Sequence, residues 1–492
     1  MSVITRPIAG LSAPANMGAA YRLVWRWHFY AGLFCLPFIV VLSLSGAVYL
    51  FKPQIDAFFD RGFDHLALTS APRSLDDQVE AALAANPGAR LKALQLRDDP
   101  TDAARVHLTT PEGQELRVLV RPDTLAIVET QAQKGRLTQL MHDLHGELLI
   151  GEPGAIAVEL AGAWAIVMVI TGLYLWWPRS TIGFAGVFYP RLSGGGRIFL
   201  RDLHGVTGFY LSMFALFFLI SALPWTKVWG EGFKYARGLG QTREVRQDWT
   251  TGPASEKAVR MQNFRDAPPT RGEVDASDEH AEHRMEAGEH AGHMGHGGKR
   301  APIVGFDEIA ALIAPLGLAD PVLISPPSTR KPNWIARSDA QNRTLRATYE
   351  FDPKSFEEVK RETFADRALI DRVVSIGVSA HEGQLFGWFN QLLGLLTAIG
   401  YLVLVVSATL MWWRRRPRGA LGAPPALAQP PRLATFVVAL VVALGVFLPT
   451  LGVSLIVVLL AERLIRRFAP GASHWLGLAP RERTQLGEVE LV

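Results

Sequence analysis

Residues 27–51 read WHFYAGLFCLPFIVVLSLSGAVYLF, an apolar run with no charge before Lys52. A helix needs about 20 such residues to cross a hydrocarbon core of roughly 30 Å. Three more blocks qualify: 155–177 (ending GLYLWW), 204–226, and 387–413 (ending SATLMWW). A fifth, 433–462, is apolar but broken by Pro449-Thr450-Leu451-Gly452, and reads as one kinked span or as a re-entrant hairpin. Of the 492 residues 49% are hydrophobic, and their concentration in these blocks excludes a string of soluble domains. A single cysteine, Cys35, lies inside the first block and excludes a disulfide scaffold. The formal net charge of +4 is clustered beside the blocks, so it speaks of membrane orientation and not of nucleic acid.

That clustering sets the topology through the Lys/Arg content of short loops. The tail 1–26 carries Arg6, Arg22 and Arg26 and no acid. The loop 178–203 carries Arg179, Arg191, Arg197 and Arg201 against Asp202 alone. The loop 414–432 carries Arg414, Arg415, Arg416, Arg418 and Arg432 and no acid. These three segments alternate as the cytoplasmic side, which makes the N-terminus cytoplasmic and 52–154 and 227–386 external. Trp176-Trp177 and Trp412-Trp413 fall at the cytoplasmic boundary, where indole rings favour the headgroup level. The first span is too long for a secretory signal and lacks a small-residue cleavage site, so it reads as a retained anchor. A hairpin at 433–462 would leave the 463–492 tail inside; a kinked span would put Arg463, Arg466 and Arg467 outside, against the charge rule.

The chain repeats itself. His28-x3-Gly32 opens the first span and His204-x3-Gly208 the third, while His145-x5-Gly151 and His381-x5-Gly387 precede the second and fourth. His145 lies 31 residues before Trp176, and His381 lies 31 before Trp412. Both external segments start with an amphipathic helix, SLDDQVEAALAA from Ser74 and GFDEIAALIA from Gly305, and continue as short alternating strands. The expected fold is an α-helical integral membrane protein of two tandem repeats. Each repeat is a span, an external α+β domain and a second span, and together they give a four-helix membrane core. Both copies run in the same direction, so their axis lies along the membrane normal.

Such an axis brings His28 to His204 near the cytoplasmic face and His145 to His381 near the external face. A histidine at a span end can also be a plain boundary residue, but four at repeat-equivalent positions favour ligation. Two imidazoles approaching from opposite helices suit the axial ligation of haem iron. Glycine four residues after His28 and His204 clears the same helix face for a flat macrocycle. The separation of His145 from Trp176 would make about 46 Å of unbroken helix, more than a bilayer core, so the chain must break near Gly151-Glu152-Pro153-Gly154. Two haem b groups, one near each face, would form a wire across the membrane. His142 shares a face with His145 but faces Val378 in the other copy, and ranks as a possible ligand only. His65, His107 and His474 have no repeat partner and are expected to be solvated.

The motifs WRWHFYAGL (25–33), LHGELLIG (144–151), TGLYLWWPR (171–179), RDLHGVTGFY (201–210), HEGQLFG (381–387) and MWWRRRP (411–417) resemble the PepSY-associated transmembrane family of bacterial inner-membrane proteins. The likeness covers roughly residues 20–415 and makes the external domains PepSY-like. It implies haem, iron metabolism, the bacterial inner membrane with a periplasmic exterior, and reduction of a ferric siderophore or other metal chelate.

The resemblance does not extend to the insertion at 278–298, which holds His280, His283, His290, His293 and His296 with Met285 and Met294. Such a tract can bind Cu, Ni or Zn, or serve as a linker. No hydrolytic triad, flavin domain or nicotinamide domain is legible, so the electron donor is another molecule, quinol or a cytoplasmic reductase. Two other functions stay open: a non-enzymatic PepSY-type sensor or regulator, and a metal-handling component using the His-rich loop.

Overall fold

The computed structural model describes residues 15–179, 183–239, 249–267, 305–424, 426–427 and 435–478. In chain order the elements are α1 (Ala15–Tyr49), α2 (Lys52–Asp60), α3 (Leu75–Ala84), β1 (Arg90–Gln95), β2 (Ala104–Thr109), β3 (Glu115–Val120), β4 (Ile127–Ala132) and α4 (Leu137–Glu147). There follow α5 (Glu152–Trp176), α6 (Gly195–Ala222), α7 (Lys227–Gly238), α8 (Pro253–Asp266), α9 (Phe306–Ile313), β5 (Val322–Ser325), β6 (Trp334–Ser338), β7 (Thr348–Phe351) and β8 (Glu358–Glu362). The last are α10 (Leu369–His381), α11 (Trp388–Arg415), α12 (Thr435–Phe447), α13 (Pro449–Phe468) and α14 (Pro470–Trp475). Among the described residues four helices are long and apolar enough to cross a membrane: Gly18–Tyr49, Glu152–Trp176, Gly195–Trp225 and Trp388–Arg415. The molecule is a multi-pass helical membrane protein with a large antiparallel sheet. It falls into two units, one of Met1–Leu44, Pro153–Leu239 and Leu396–Val492, the other of Ser45–Glu152 and Gly240–Leu395.

In the helical unit, Glu159 is a buried acid inside an apolar helix, and its carboxylate has a definite task. It accepts from the backbone N–H groups of Val228 (2.7 Å) and Trp229 (3.1 Å) in the first turn of α7. Those donors lack partners within their own helix, and a negative group at a helix start also meets the favourable end of its dipole. α7 thus stays with the helical unit, although the sequence assigned 227–386 as a single external domain.

The C-terminal apolar segment folds back on itself. α12 has 13 residues, about 20 Å of helix and too short to span. At the break Leu448 and Leu451 are buried against Ala163, Ile166 and Leu223. A Cβ built on Gly445 would lie only 3.3 Å from the Gly452 Cα, an approach that a continuous helix could not make. After α14 the chain returns to the residues that precede α12, where Leu421 N–H donates to the Trp475 carbonyl (2.9 Å). The same place receives the start of α1: Tyr30 donates to the Leu476 carbonyl (2.6 Å), and Arg26 to the carbonyls of Pro424 and Gly477.

The other unit is built on eight antiparallel strands in the order β4-β3-β2-β1-β5-β6-β7-β8. The two external domains expected from sequence therefore share one sheet, joined where Leu94 pairs Ile324 and Gln95 pairs Leu323. Each four-strand meander alone would leave β1 or β5 as an open edge, and pairing them removes both. Period-2 alternation puts Val106, Leu108, Val118 and Val120 on one face, packed with Val79 and Ala82 of α3 and Phe306, Ile309 and Ile313 of α9. The two helices cap each other. Asp76 accepts from the N–H groups of Gly305 (3.1 Å) and Phe306 (3.0 Å), and Asp307 accepts from Leu75 N–H (3.1 Å). Gly305 has φ +127°, and a Cβ there would lie 2.9 Å from the Trp334 ring, so only glycine fits.

The opposite face of β2 and β3 carries Arg105, His107 and Arg117. Here the expectation of a solvated His107 holds only in part. It is half-buried on the sheet, its Nε2 3.4 Å from the Gln95 side chain, and burial pushes it down to about pKa 3. A lone histidine in a short alternating strand gives no local sign of what will cover its face. Next to it Arg117 grips Asp60 at the end of α2 with two hydrogen bonds of 2.7 and 2.6 Å. Burial alone would raise the Asp60 carboxyl, but Arg117, with Arg136 and Arg105, holds it below the usual carboxylate range. Asp60→Ala leaves a buried guanidinium uncompensated and should cost about 3–5 kcal/mol, measured as denaturant unfolding of the purified protein. A depressed carboxylate stabilises fully above the unfolded Asp pKa of about 3.9 and loses that contribution as pH falls through the lower folded value. Below that value the wild type and the variant should converge.

Candidate haem-ligating histidine pairs

His28 of α1 and His204 of α6 face each other with ring centroids 6.4 Å apart and planes at 81°. Each ring is held from behind by a different helix. His28 Nδ1 lies 3.1 Å from the Met168 carbonyl and 3.0 Å from Thr171 Oγ1, both on α5. His204 Nδ1 lies 3.2 Å from the Leu404 carbonyl and 3.1 Å from Ser407 Oγ, both on α11. A carbonyl can only accept, so Nδ1 carries a proton in both rings and Nε2 is the nitrogen left to ligate. The ring also lies close against α5 at a glycine: a Cβ on Gly172 would stand 3.1 Å from His28 Cε1, tighter than ordinary contact.

The second pair has the same form. His145, in the last turn of α4, and His381, the last residue of α10, have centroids 6.3 Å apart and planes at 87°. Ser45 Oγ lies 3.1 Å from His145 Nδ1, and a Cβ on Gly46 would stand 3.1 Å from His145 Cε1. Both helices end sharply after their histidines. Leu148, Leu149 and Gly151 have positive φ after α4, as do Gly383 and Gly387 after α10. Two leucines in the left-handed region are strained by roughly 1–3 kcal/mol each, which marks this turn as held by its surroundings. Burial and the neighbouring His145 push His381 down to about pKa 3, so it is neutral at physiological pH with a nitrogen able to ligate. The side-chain amides of Gln384 and Gln391 both donate to the Leu50 carbonyl at 3.0 Å, fixing the end of α1 against this turn.

His142 stands one turn before His145, its ring 5.8 Å from that of Tyr49 and its Nδ1 3.2 Å from the Asp143 carboxylate. Burial would lower it, but Asp143, Glu256 and Glu382 outweigh that and raise it above its ordinary value. Val378, its counterpart in sequence, is fully buried.

Chemically, each pair offers two imidazoles converging from separate helices. A metal held in line between them at about 2.0–2.1 Å from each nitrogen puts the ring centres roughly 6.3–6.5 Å apart. The observed separations fall in that interval, and the donor set is the one that fixes haem iron in a low-spin carrier. Among the described residues one other His/carboxylate group is close enough to share an ion, His65 with Asp99 and Asp102. His65 is exposed, with its Nδ1 2.9 Å from Asp99, and His474 is exposed. His280, His283, His290, His293, His296 and Met294 lie outside the described residues.

Sequence reasoning missed the residues behind the rings: Ser45, Gly46, Thr171, Gly172 and Ser407. A signal existed. Thr171 follows His145 by 26 residues and Ser407 follows His381 by 26, so both hydroxyls obey the repeat that the histidines obey. The sequence model of the family described as the PepSY-associated TM region matches residues 25–415, which include all four histidines and the hydroxyls behind them. No curated protein matches the chain.

Proposed function

We propose, from the fact that this chain belongs to the PepSY-associated TM region family, that it is a two-haem membrane oxidoreductase of the bacterial inner membrane. It would carry electrons across the bilayer to a ferric chelate in the periplasm, serving siderophore reduction and iron uptake. The observation that carries this reading is the pair of centroid separations, 6.4 and 6.3 Å, each between histidines brought from different helices. Haem b, when bound, would supply a reversible one-electron change at iron.

The chain's own residues do the rest. His28 with His204, and His145 with His381, would hold the two groups by their Nε2 atoms. Thr171, Ser407, Ser45 and the neighbouring carbonyls turn the rings, while the apolar spans exclude water. The acceptor is a metal bound by hard oxygen ligands, which favour the ferric ion, so reduction loosens the complex. The donor is quinol or a cytoplasmic reductase. The symmetric strand order about β1 and β5 and the mutual capping of α3 and α9 support a tandem duplication as the origin of the two pairs.

Optical spectra of the purified chain, oxidised and then reduced with dithionite, test the reading together with haem counting by pyridine haemochrome. Two b-type haems per chain are expected, and a colourless protein would overturn the proposal. The orientation is tested separately. Reporter fusions near residues 100 and 340 should both score periplasmic, because Arg22, Arg26, Arg179, Arg197 and Arg414–Arg416 flank the spans on the other side. A cytoplasmic score at either site would reverse the direction of electron flow.

A further inference from the structure

We propose that Thr171 and Ser407 are positioning residues that set the ligand strength and ring orientation of His28 and His204, an inference that rests on the two-haem reading. The argument starts from where the hydroxyl protons go. Thr171 Oγ1 donates to its own helix, to the Val167 carbonyl at 2.8 Å, and Ser407 Oγ donates to the Leu404 carbonyl at 3.0 Å. With that proton committed, each hydroxyl faces the imidazole as an acceptor. Each histidine N–H therefore meets two acceptors, a carbonyl and a hydroxyl three residues later on the same helix: Met168 with Thr171, and Leu404 with Ser407. Two helices from distant parts of the chain present the same device at matching distances, which a chance surface contact would not do.

Two consequences follow for a ligated iron. Accepting from Nδ1–H pushes electron density toward Nε2, so the imidazole becomes a stronger donor and favours the ferric over the ferrous state. The same bonds stop the rings from turning, and they hold the planes at 81°. Imidazoles in perpendicular planes act on different iron orbitals of π symmetry and leave these nearly degenerate. A ferric centre of this kind gives a strongly anisotropic low-spin paramagnetic resonance signal, whereas parallel rings give a rhombic one.

The test uses the full-length purified chain. Thr171→Val removes the hydroxyl at nearly constant volume, Ser407→Ala removes the other, and Thr171→Ser restores the acceptor. Haem content, midpoint potentials and the resonance signal are read on each. In Thr171→Val one of the two potentials should shift positive and its signal should become more rhombic, with the other haem unmoved. The double variant should shift further, and Thr171→Ser should return close to wild type. Loss of one haem in Thr171→Val, with retention in Thr171→Ser, also supports the inference. Unchanged potentials and signals with two haems bound would overturn it and leave the two-haem reading intact, and so would equal damage in Thr171→Val and Thr171→Ser. A wild-type chain without haem would instead overturn the reading underneath.

Discussion

Replacing His28 or His204 with Ala should remove one haem and leave the second spectrally intact; replacing His145 or His381 should do the reverse. The two members of a pair share one gap, with centroids 6.4 Å apart in one case and 6.3 Å in the other, so a metal held between them would lose in-line ligation with either residue. Haem counts should fall from two per chain to one in all four variants, with one residual redox couple common to His28→Ala and His204→Ala and a different one common to His145→Ala and His381→Ala. His142→Ala should retain both haems, because its contacts are with Tyr49 and Asp143 and its sequence counterpart is Val378. Loss of one common haem in His28→Ala and His381→Ala would break the pairing on which the site is built.

An equally large effect is expected from residues that ligate nothing. Gly172→Val should abolish the haem held by His28, and Gly46→Val the one held by His145. At both glycines even a bare Cβ would come within 3.1 Å of the imidazole Cε1, tighter than ordinary carbon contact, and the two further methyl groups would need the space the ring occupies. Alanine at either place asks the ring to give only a few tenths of an ångström and should shift the spectrum without emptying the site. Haem counting on the four variants separates these outcomes. A Gly172→Val protein with two haems and unaltered spectra would mean that His28 does not lie against α5.

Much of this protein could be read along the chain because the relevant signals are local or periodic. A run of apolar residues must be about 20 long to span hydrocarbon wherever it stands, so the four spans needed no knowledge of their neighbours. Equal spacings, such as 31 residues from His145 to Trp176 and from His381 to Trp412, likewise survive without a structure, and they led to the four histidines. The break after His145 followed from length alone, since helix through to Trp176 would outrun the bilayer.

What depended on tertiary contact left no such trace. The pairing of Leu94 with Ile324 joins strands more than two hundred residues apart, and nothing in either strand distinguishes an edge awaiting a partner from an edge facing water. His107 looks like any polar residue of an alternating strand, and its partial burial is decided by what packs on that face of the sheet. Thr171 and Ser407 read as ordinary helix residues satisfied by their own backbone; that they also accept from His28 and His204 is decided by how α5 meets α1 and how α11 meets α6. The fold-back at Leu448 turns on Gly445 and Gly452, two residues without side chains whose backbones touch, and a hydropathy pattern cannot record the absence of an atom. Hydrophobicity and spacing are additive along a chain, whereas the Nδ1 atoms of His28 and His204 are engaged by acceptors delivered from other helices.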